Sequence, residues 1–159
     1  MVDILIIGSG GAALSTALSA HAEGASVKVV SKTAPTASQT SMAQGGMNAA
    51  LGNVIPDSID SHIEDTIKSA HGLCNTKMIR QMCEDAPESI AWLEQLGVPF
   101  DRTENAQIAQ RQLGGASSTR ACYAQDYTGL KILHTLYDNC LKAGIEIVEE
   151  QMLLNLIVE

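Results

Sequence analysis

The residues with the clearest chemical meaning are Gly8, Ser9, Gly10, Ala12 and Ala13, which follow the apolar run Ile4-Leu-Ile-Ile7. Gly8 suits a tight turn, Gly10 lets the main chain approach a pyrophosphate, and Ala13 takes the third small position, where a helix packs on a strand. A helix opening at this turn points unsatisfied N–H groups and a positive dipole end at an anion. The chemistry implied is the holding of a dinucleotide by its phosphates.

Such a turn works only inside a βαβ frame, and the flanking residues supply one. Ile4 to Ile7 form a continuous apolar run, which predicts a strand buried on both faces. Leu14, Ala17, Leu18 and Ala22 keep helical spacing, and Gly24 suits the position just past the helix end. Val27 to Val30 supply a second parallel strand, so Asp3 to Ser31 make one unit of about 30 residues. At the end of that strand a dinucleotide site commonly carries Asp or Glu for the ribose hydroxyls. This chain has Ser31-Lys32, which speaks against NAD. The Ser31 hydroxyl can still bond a ribose, and Lys32 adds positive charge near the phosphates.

Composition narrows the function classes. The chain has 159 residues, 45% of them hydrophobic, enough for the core of one domain or part of one. A formal net charge of −8 and the lack of a basic stripe argue against a nucleic-acid partner. No apolar run approaches the roughly 18 residues of a membrane span, and no signal peptide precedes the first strand. A cytoplasmic protein is expected. Cys74, Cys83, Cys122 and Cys140 lack metal-binding spacing and are expected to be buried thiols.

Residues 34–53 are rich in Ser, Thr, Gly and Ala, as a linker would be. Met42, Met47 and Leu51 interrupt them with apolar side chains, and Gly45-Gly46 would let backbone approach a flat ligand. An ordered cofactor loop is the preferred reading. Helices are predicted over 57–70, with Ile59, Ile63 and Ile67 on one stripe, and from Thr76 as cap to about Glu84, with Met78, Ile79 and Met82 inward. A separate helix from Asp85, with Pro87 in its first turn, would stop at Gly97. Residues 98–119 read as a long irregular segment. A last helix from Thr128-Gly129 to about Ala143 precedes strand-like segments at 145–150 and 152–158.

Further motifs recur in an order that carries a resemblance. They are Ser38-x-Thr40, Ala43-Gln-Gly-Gly46, Ala50-Leu-Gly-Asn53, His62-x-x-Asp65-Thr66, Gly97-x-Pro-Phe100, Gln110-Arg-x-x-Gly-Gly115, Arg120-x-Cys-Tyr123 and Asp126-x-Thr-Gly129. Together with Gly8 to Ala13 and Ser31-Lys32, the chain resembles the N-terminal part of the flavoprotein subunit of succinate dehydrogenase and fumarate reductase. L-aspartate oxidase is a close relative of that family. The resemblance implies an α/β fold: a Rossmann-like FAD-binding domain with a central parallel sheet from 3–7, 27–31 and about 145–149. Added helices over 57–96 would pack outside it. It implies a longer parent, with residues 1–159 as the N-terminal portion and the capping and C-terminal domains absent.

The resemblance also implies FAD. Gly8, Ser9, Gly10, Ala12 and Ala13 would hold the pyrophosphate, and Ser31 and Lys32 the adenosine side. Ser38, Gln39, Thr40, Ala43, Gln44, Gly45 and Gly46 would line the isoalloxazine ring. Respiratory members carry a flavin-linked histidine between Ser38 and Thr40; here the residue is Gln39, whose amide is no nucleophile, so the FAD is expected to be non-covalent. Aspartate oxidases also lack the linkage. Leu113 stands where succinate-using members tend to place Phe.

The implied reaction is hydride exchange between flavin N5 and a dicarboxylate, within electron transport. Its arginine and histidine groups lie in later segments, so no catalytic residue is assigned to this chain, which alone would be an inactive FAD-binding fragment. Implied partners are iron–sulfur and membrane-anchor subunits, which would hold the protein on the inner face of the cytoplasmic membrane. Missing partners would expose apolar edges and favour self-association. Arg111 and Arg120 are expected to tie loops by ion pairs, and His62 and His134 to be structural. His21 and His71 are expected at the surface, and Asp126 at a helix start.

Overall fold

A computed structural model describes residues 1–158. Along the chain run β1 (Ile4–Ile7), α1 (Gly11–Ala22), β2 (Val27–Val30), two 3₁₀ turns (Pro35–Ala37 and Gln39–Met42) and β3 (Met47–Asn48). Then follow α2 (Ile59–Ser69), α3 (Thr76–Leu96), β4 (Gln110–Arg111), β5 (Ala121–Cys122), α4 (Thr128–Lys142) and β6 (Glu146–Val148). The chain divides into two compact units, one of residues 1–43 with the segment from 129 onward, the other of residues 44–128.

The first unit is built on a parallel sheet of order β1-β2-β6. The third strand joins on the far side of β2 from β1, which is how a doubly wound nucleotide-binding sheet begins. Ile4 pairs with Val27, Ile6 with Val29, and Val29 with Ile147. The sheet face carrying Ile6, Val27 and Val29 is buried, together with Leu14 and Ala17 of α1 and Leu133, Leu136 and Cys140 of α4. The opposite face is open. Leu5 and Ile7 are 54% and 48% exposed there, and Lys28 pairs with Glu146 across the strands at 2.6 Å. The expectation that β1 is buried on both faces is therefore corrected. A continuous apolar run needs cover on each side, and α1 packs on only one.

The second unit joins the α2–α3 pair to a small antiparallel sheet of order β3-β5-β4. Ser58 caps α2 by accepting from the Ser61 N–H, and Asn75, not Thr76, caps α3. The two helices predicted over 76–97 are one, with Pro87 inside it. A mid-helix proline costs about 3 kcal/mol. The helix holds because Ile79, Cys83, Ala86, Ile90 and Leu93 form one buried face that runs through the proline at helical spacing. Met78 and Met82, expected inward, fall outside that face and are exposed. Gly97 ends the helix in the left-handed region, as predicted.

Beyond β6, residues 152–158 form no strand, and the apolar side chains from Met152 to Val158 are exposed. Residues 34–53 and 98–119 are ordered by turns, short strands and an Arg102–Ile108 bridge.

Candidate cofactor-binding site

In the first unit the residues after β1 form one wall of a cavity. Gly8 takes φ of 115°, open to glycine and strained for other residues, while its N–H donates to the Val30 carbonyl at 2.8 Å. Gly10 precedes α1 in an extended conformation and offers no side-chain cap. The helix-start Gly11 N–H donates instead to Thr40 Oγ1 at 3.0 Å. A Cβ added at Gly10 would stand 3.4 Å from Thr40 Oγ1 and 3.6 Å from Ser38 Oγ, so the small residue lets the 38–40 turn come close.

Ser9 and Ser31 are both buried, and their hydroxyls lie 2.7 Å apart. The Ser31 main chain also pairs with Val148 and Gln151. Ser31 is thus a fixed part of the wall, with its hydroxyl shared with Ser9. Ser38 Oγ is buried and has no hydrogen-bond partner among the described residues.

The cavity holds about 630 Å³ and is lined by Gly8, Ser9, Gly10, Ser31, Lys32, Ser38 and Gln39, with Gln151 to Leu153 also on its surface. That is within the roughly 300–1,000 Å³ of small-molecule and cofactor sites. No carboxylate among the described residues lines it, and Lys32 supplies a cation. A glycine turn at a helix start, an unpartnered buried hydroxyl and an acid-free lining fit an anionic nucleotide. Of the other expected contacts, Ala12 is exposed and Ala13 half-buried on the first turn of α1, and Gln39 is exposed.

The sequence reading missed the role of Gly129. Its N–H donates to the Ala43 carbonyl at 2.7 Å. A Cβ there would overlap the Thr40 carbonyl oxygen and lie 2.8 Å from Ala43 Cβ. Gly129 therefore seats the start of α4 against the turn that runs from Ser38 to Ala43. Its sequence signals were its place just inside a predicted helix and in the Asp126-x-Thr-Gly129 motif.

Gln44, Gly45 and Gly46 belong to the second unit. Arg111 donates from Nε to the Gly45 carbonyl at 2.9 Å and from Nη2 to the Gln44 carbonyl at 2.8 Å. Leu113 packs over Gly45, where a Cβ would stand 3.2 Å from Leu113 Cδ1. Gly46 has φ of 125°, and its Cβ would meet the Cys122 carbonyl oxygen at 2.6 Å. Thr128 closes this region, accepting from the Ala124 N–H and reaching the Gln44 carbonyl.

Arg120 is 1% exposed and makes a bidentate pair with Asp57, itself 1% exposed, at 2.9 and 3.0 Å. Its Nη1 stands 3.0 Å from Asp65 Oδ2 but off the line of a hydrogen bond, so this contact is a charge pairing only. Asp65 accepts from the Ser117 N–H and hydroxyl, and those bonds, reinforced by Arg120, hold its carboxyl below the usual range. His62 is buried beside them with Nδ1 unpartnered. Burial first, and the Arg120 charge second, push its pKa down. Both arginines tie loops, as expected. His134 is exposed rather than structural. Cys83, Cys122 and Cys140 are buried while Cys74 is exposed, and burial raises the Cys122 and Cys140 thiols to about 12 and about 11.

Comparison with known proteins follows the same lines. Residues 3–159 match the family model described as the FAD binding domain. The succinate dehydrogenase flavoprotein subunit of Rickettsia bellii is 41% identical over 165 residues, covering 99% of this chain and 28% of that protein. The 8-methylmenaquinol:fumarate reductase flavoprotein subunit of Wolinella succinogenes is 38% identical, covering 99% and 26%. Among solved structures, Mycobacterium smegmatis Sdh1 in complex with UQ1 matches with a TM-score of 0.86 at 34% identity, covering 94% and 27%. The chain spans about a quarter of the length of these relatives. The fold is α/β and Rossmann-like, and the cofactor these matches indicate is FAD. With the matched region running from Asp3 through the glycine turn and both units, the chain belongs to the FAD binding domain family.

Proposed function

We propose that this chain is the FAD-holding N-terminal portion of a succinate dehydrogenase/fumarate reductase-type flavoprotein, with the FAD bound non-covalently. The observation that carries the reading is the cavity of the first unit. Its glycine turn, its Lys32 cation and the unpartnered Ser38 hydroxyl suit the adenosine and pyrophosphate of FAD. Gly8, Ser9, Gly10, Ala12 and Ala13 hold the pyrophosphate, Ser31 closes the wall on the adenosine side, and Lys32 offsets the phosphate charge. Ser38, Gln39, Thr40, Ala43, Gln44, Gly45 and Gly46 are the residues we assign to the isoalloxazine ring. When bound, FAD supplies hydride exchange at N5 with a dicarboxylate such as succinate or fumarate. The chain's own part is to bind and orient. No residue here is assigned to proton transfer or to substrate carboxylates.

Non-covalent binding rests on Gln39, which is exposed at the cavity and carries no nucleophile for the flavin methyl group. Gln39 also supports a second reading, an L-aspartate oxidase parent. Iron–sulfur and membrane-anchor subunits as partners, and a peripheral place on the inner face of the cytoplasmic membrane, belong to the first reading. No helix among the described residues is long and apolar enough to cross a membrane. The exposed β1 face and the 152–158 run favour self-association of the chain on its own.

The test is flavin absorbance on the purified chain, followed by fumarate reduction with a reduced dye. Bound flavin without turnover is expected. Turnover by the 159 residues alone would overturn the assignment of catalysis to other segments. An absence of bound flavin at saturating FAD would overturn the cofactor-holding role.

A further inference from the structure

We propose that Arg111 is a positioning residue for the flavin, acting by fixing the orientation of the Gln44–Gly46 backbone. The inference rests on the reading that this turn faces the isoalloxazine ring. The guanidinium is shared among four acceptors of the second unit. Nε donates to the Gly45 carbonyl at 2.9 Å, Nη2 donates to the Gln44 carbonyl at 2.8 Å and the Gln125 carbonyl at 3.2 Å, and Nη1 donates to Asp126 at 3.2 Å. The guanidinium carbon lies 4.5 Å from the centre of the Tyr123 ring. Three of the four acceptors are neutral carbonyls, so the arrangement depends on the planar fork of donors more than on a surface ion pair.

The consequence follows from the planarity of the peptide bond. In a trans peptide the carbonyl and the next N–H point in opposite directions. Drawing the Gln44 and Gly45 carbonyls to one guanidinium therefore turns the Gly45 and Gly46 N–H groups away from it, side by side. Neither N–H donates to a protein acceptor among the described residues. Leu113 over Gly45 and the Cys122 carbonyl under Gly46 leave the turn little room to relax. The result is a pair of fixed backbone donors of the kind that can meet the polar edge of a flavin ring. Without Arg111 the two carbonyls lose their common partner and the peptide planes can rotate. Lysine cannot replace it, because one ammonium cannot reach both carbonyls in the geometry of Nε and Nη2 while stacking on Tyr123.

The experiment compares FAD and ADP binding to the full chain for the wild type, Arg111→Ala and Arg111→Lys, with amide hydrogen exchange at Gly45 and Gly46 in the flavin-free chain. ADP lacks the ring and reports the cavity of the first unit alone. Arg111→Ala is expected to weaken FAD about tenfold, the effect of one lost charge-assisted hydrogen bond, and to change ADP by no more than about twofold. Exchange at Gly45 and Gly46 should rise, and Arg111→Lys should restore neither. Unchanged FAD affinity in Arg111→Ala would overturn the positioning role and leave the FAD reading standing. Equal weakening of FAD and ADP would also overturn it, since Arg111 would then be a general structural tie. A wild-type chain that binds ADP but not FAD would overturn the ring-facing reading, and this inference with it.

Discussion

Arg120 illustrates how a single side chain can organise a unit. It and Asp57 are each 1% exposed, so each charge depends on the other. Removing one partner of a buried pair costs about 3–5 kcal/mol, because the remaining charge stays buried and unpaired. Arg120→Ala is therefore expected to lower the unfolding free energy by about that amount, read by urea denaturation. A loss below about 1 kcal/mol, the size of a surface pair, would contradict the burial argument. His62, in the same cluster, gives a prediction in pH. Its pKa is lowered from 6.5, chiefly by burial, so the folded state favours the neutral imidazole. The unfolded chain takes up a proton first as pH falls, and stability drops below about pH 6.5. At higher pH both states are neutral and the contribution is fully present. Urea midpoints measured between pH 5 and 7.5 should fall with acidity in the wild type and flatten in His62→Gln. An equal slope in the two proteins would assign the effect to other groups. Both residues stand in motifs that carry the family resemblance, though nothing in the spacing singles out Arg120. The sequence could not show that they share one buried cluster, because Ser117 and Arg120 reach Asp57, His62 and Asp65 from a segment distant in the sequence.

The elements show where local signals suffice and where packing overrides them. The βαβ unit is legible because each of its signals is local: an apolar strand, a glycine turn, a helix period and a glycine stop. The parallel order β1-β2-β6 agrees with it. The break expected between Glu84 and Asp85 does not occur, because a buried face of five residues spans Pro87 and outweighs one lost hydrogen bond. Burial of β1 was overestimated, since an apolar strand run reports only that cover is wanted, and cover comes from other elements. Gly129 is the least legible of the important positions. Its need to be glycine comes from Thr40 and Ala43, far away in sequence. Gly129→Ala is expected to push the 38–43 turn from the start of α4, costing about 1–3 kcal/mol of stability, as overpacking does. FAD affinity should fall with it. A Gly129→Ala protein of unchanged thermal midpoint and unchanged FAD affinity would show that this close approach is not needed.

At the scale of the whole molecule, the glycine turn, Ser31, Lys32 and Ser38 line one cavity of the first unit, and Arg111 ties the Gln44–Gly46 turn of the second. The −8 net charge makes the cavity informative, since no acidic side chain among the described residues lines it and Lys32 does. The most direct test of this account is a titration of the purified chain with FAD by flavin fluorescence, followed by denaturation and filtration. The account predicts saturable binding at one FAD per chain and complete recovery of the flavin in the filtrate. No saturable binding, or flavin retained on the unfolded polypeptide, would contradict it.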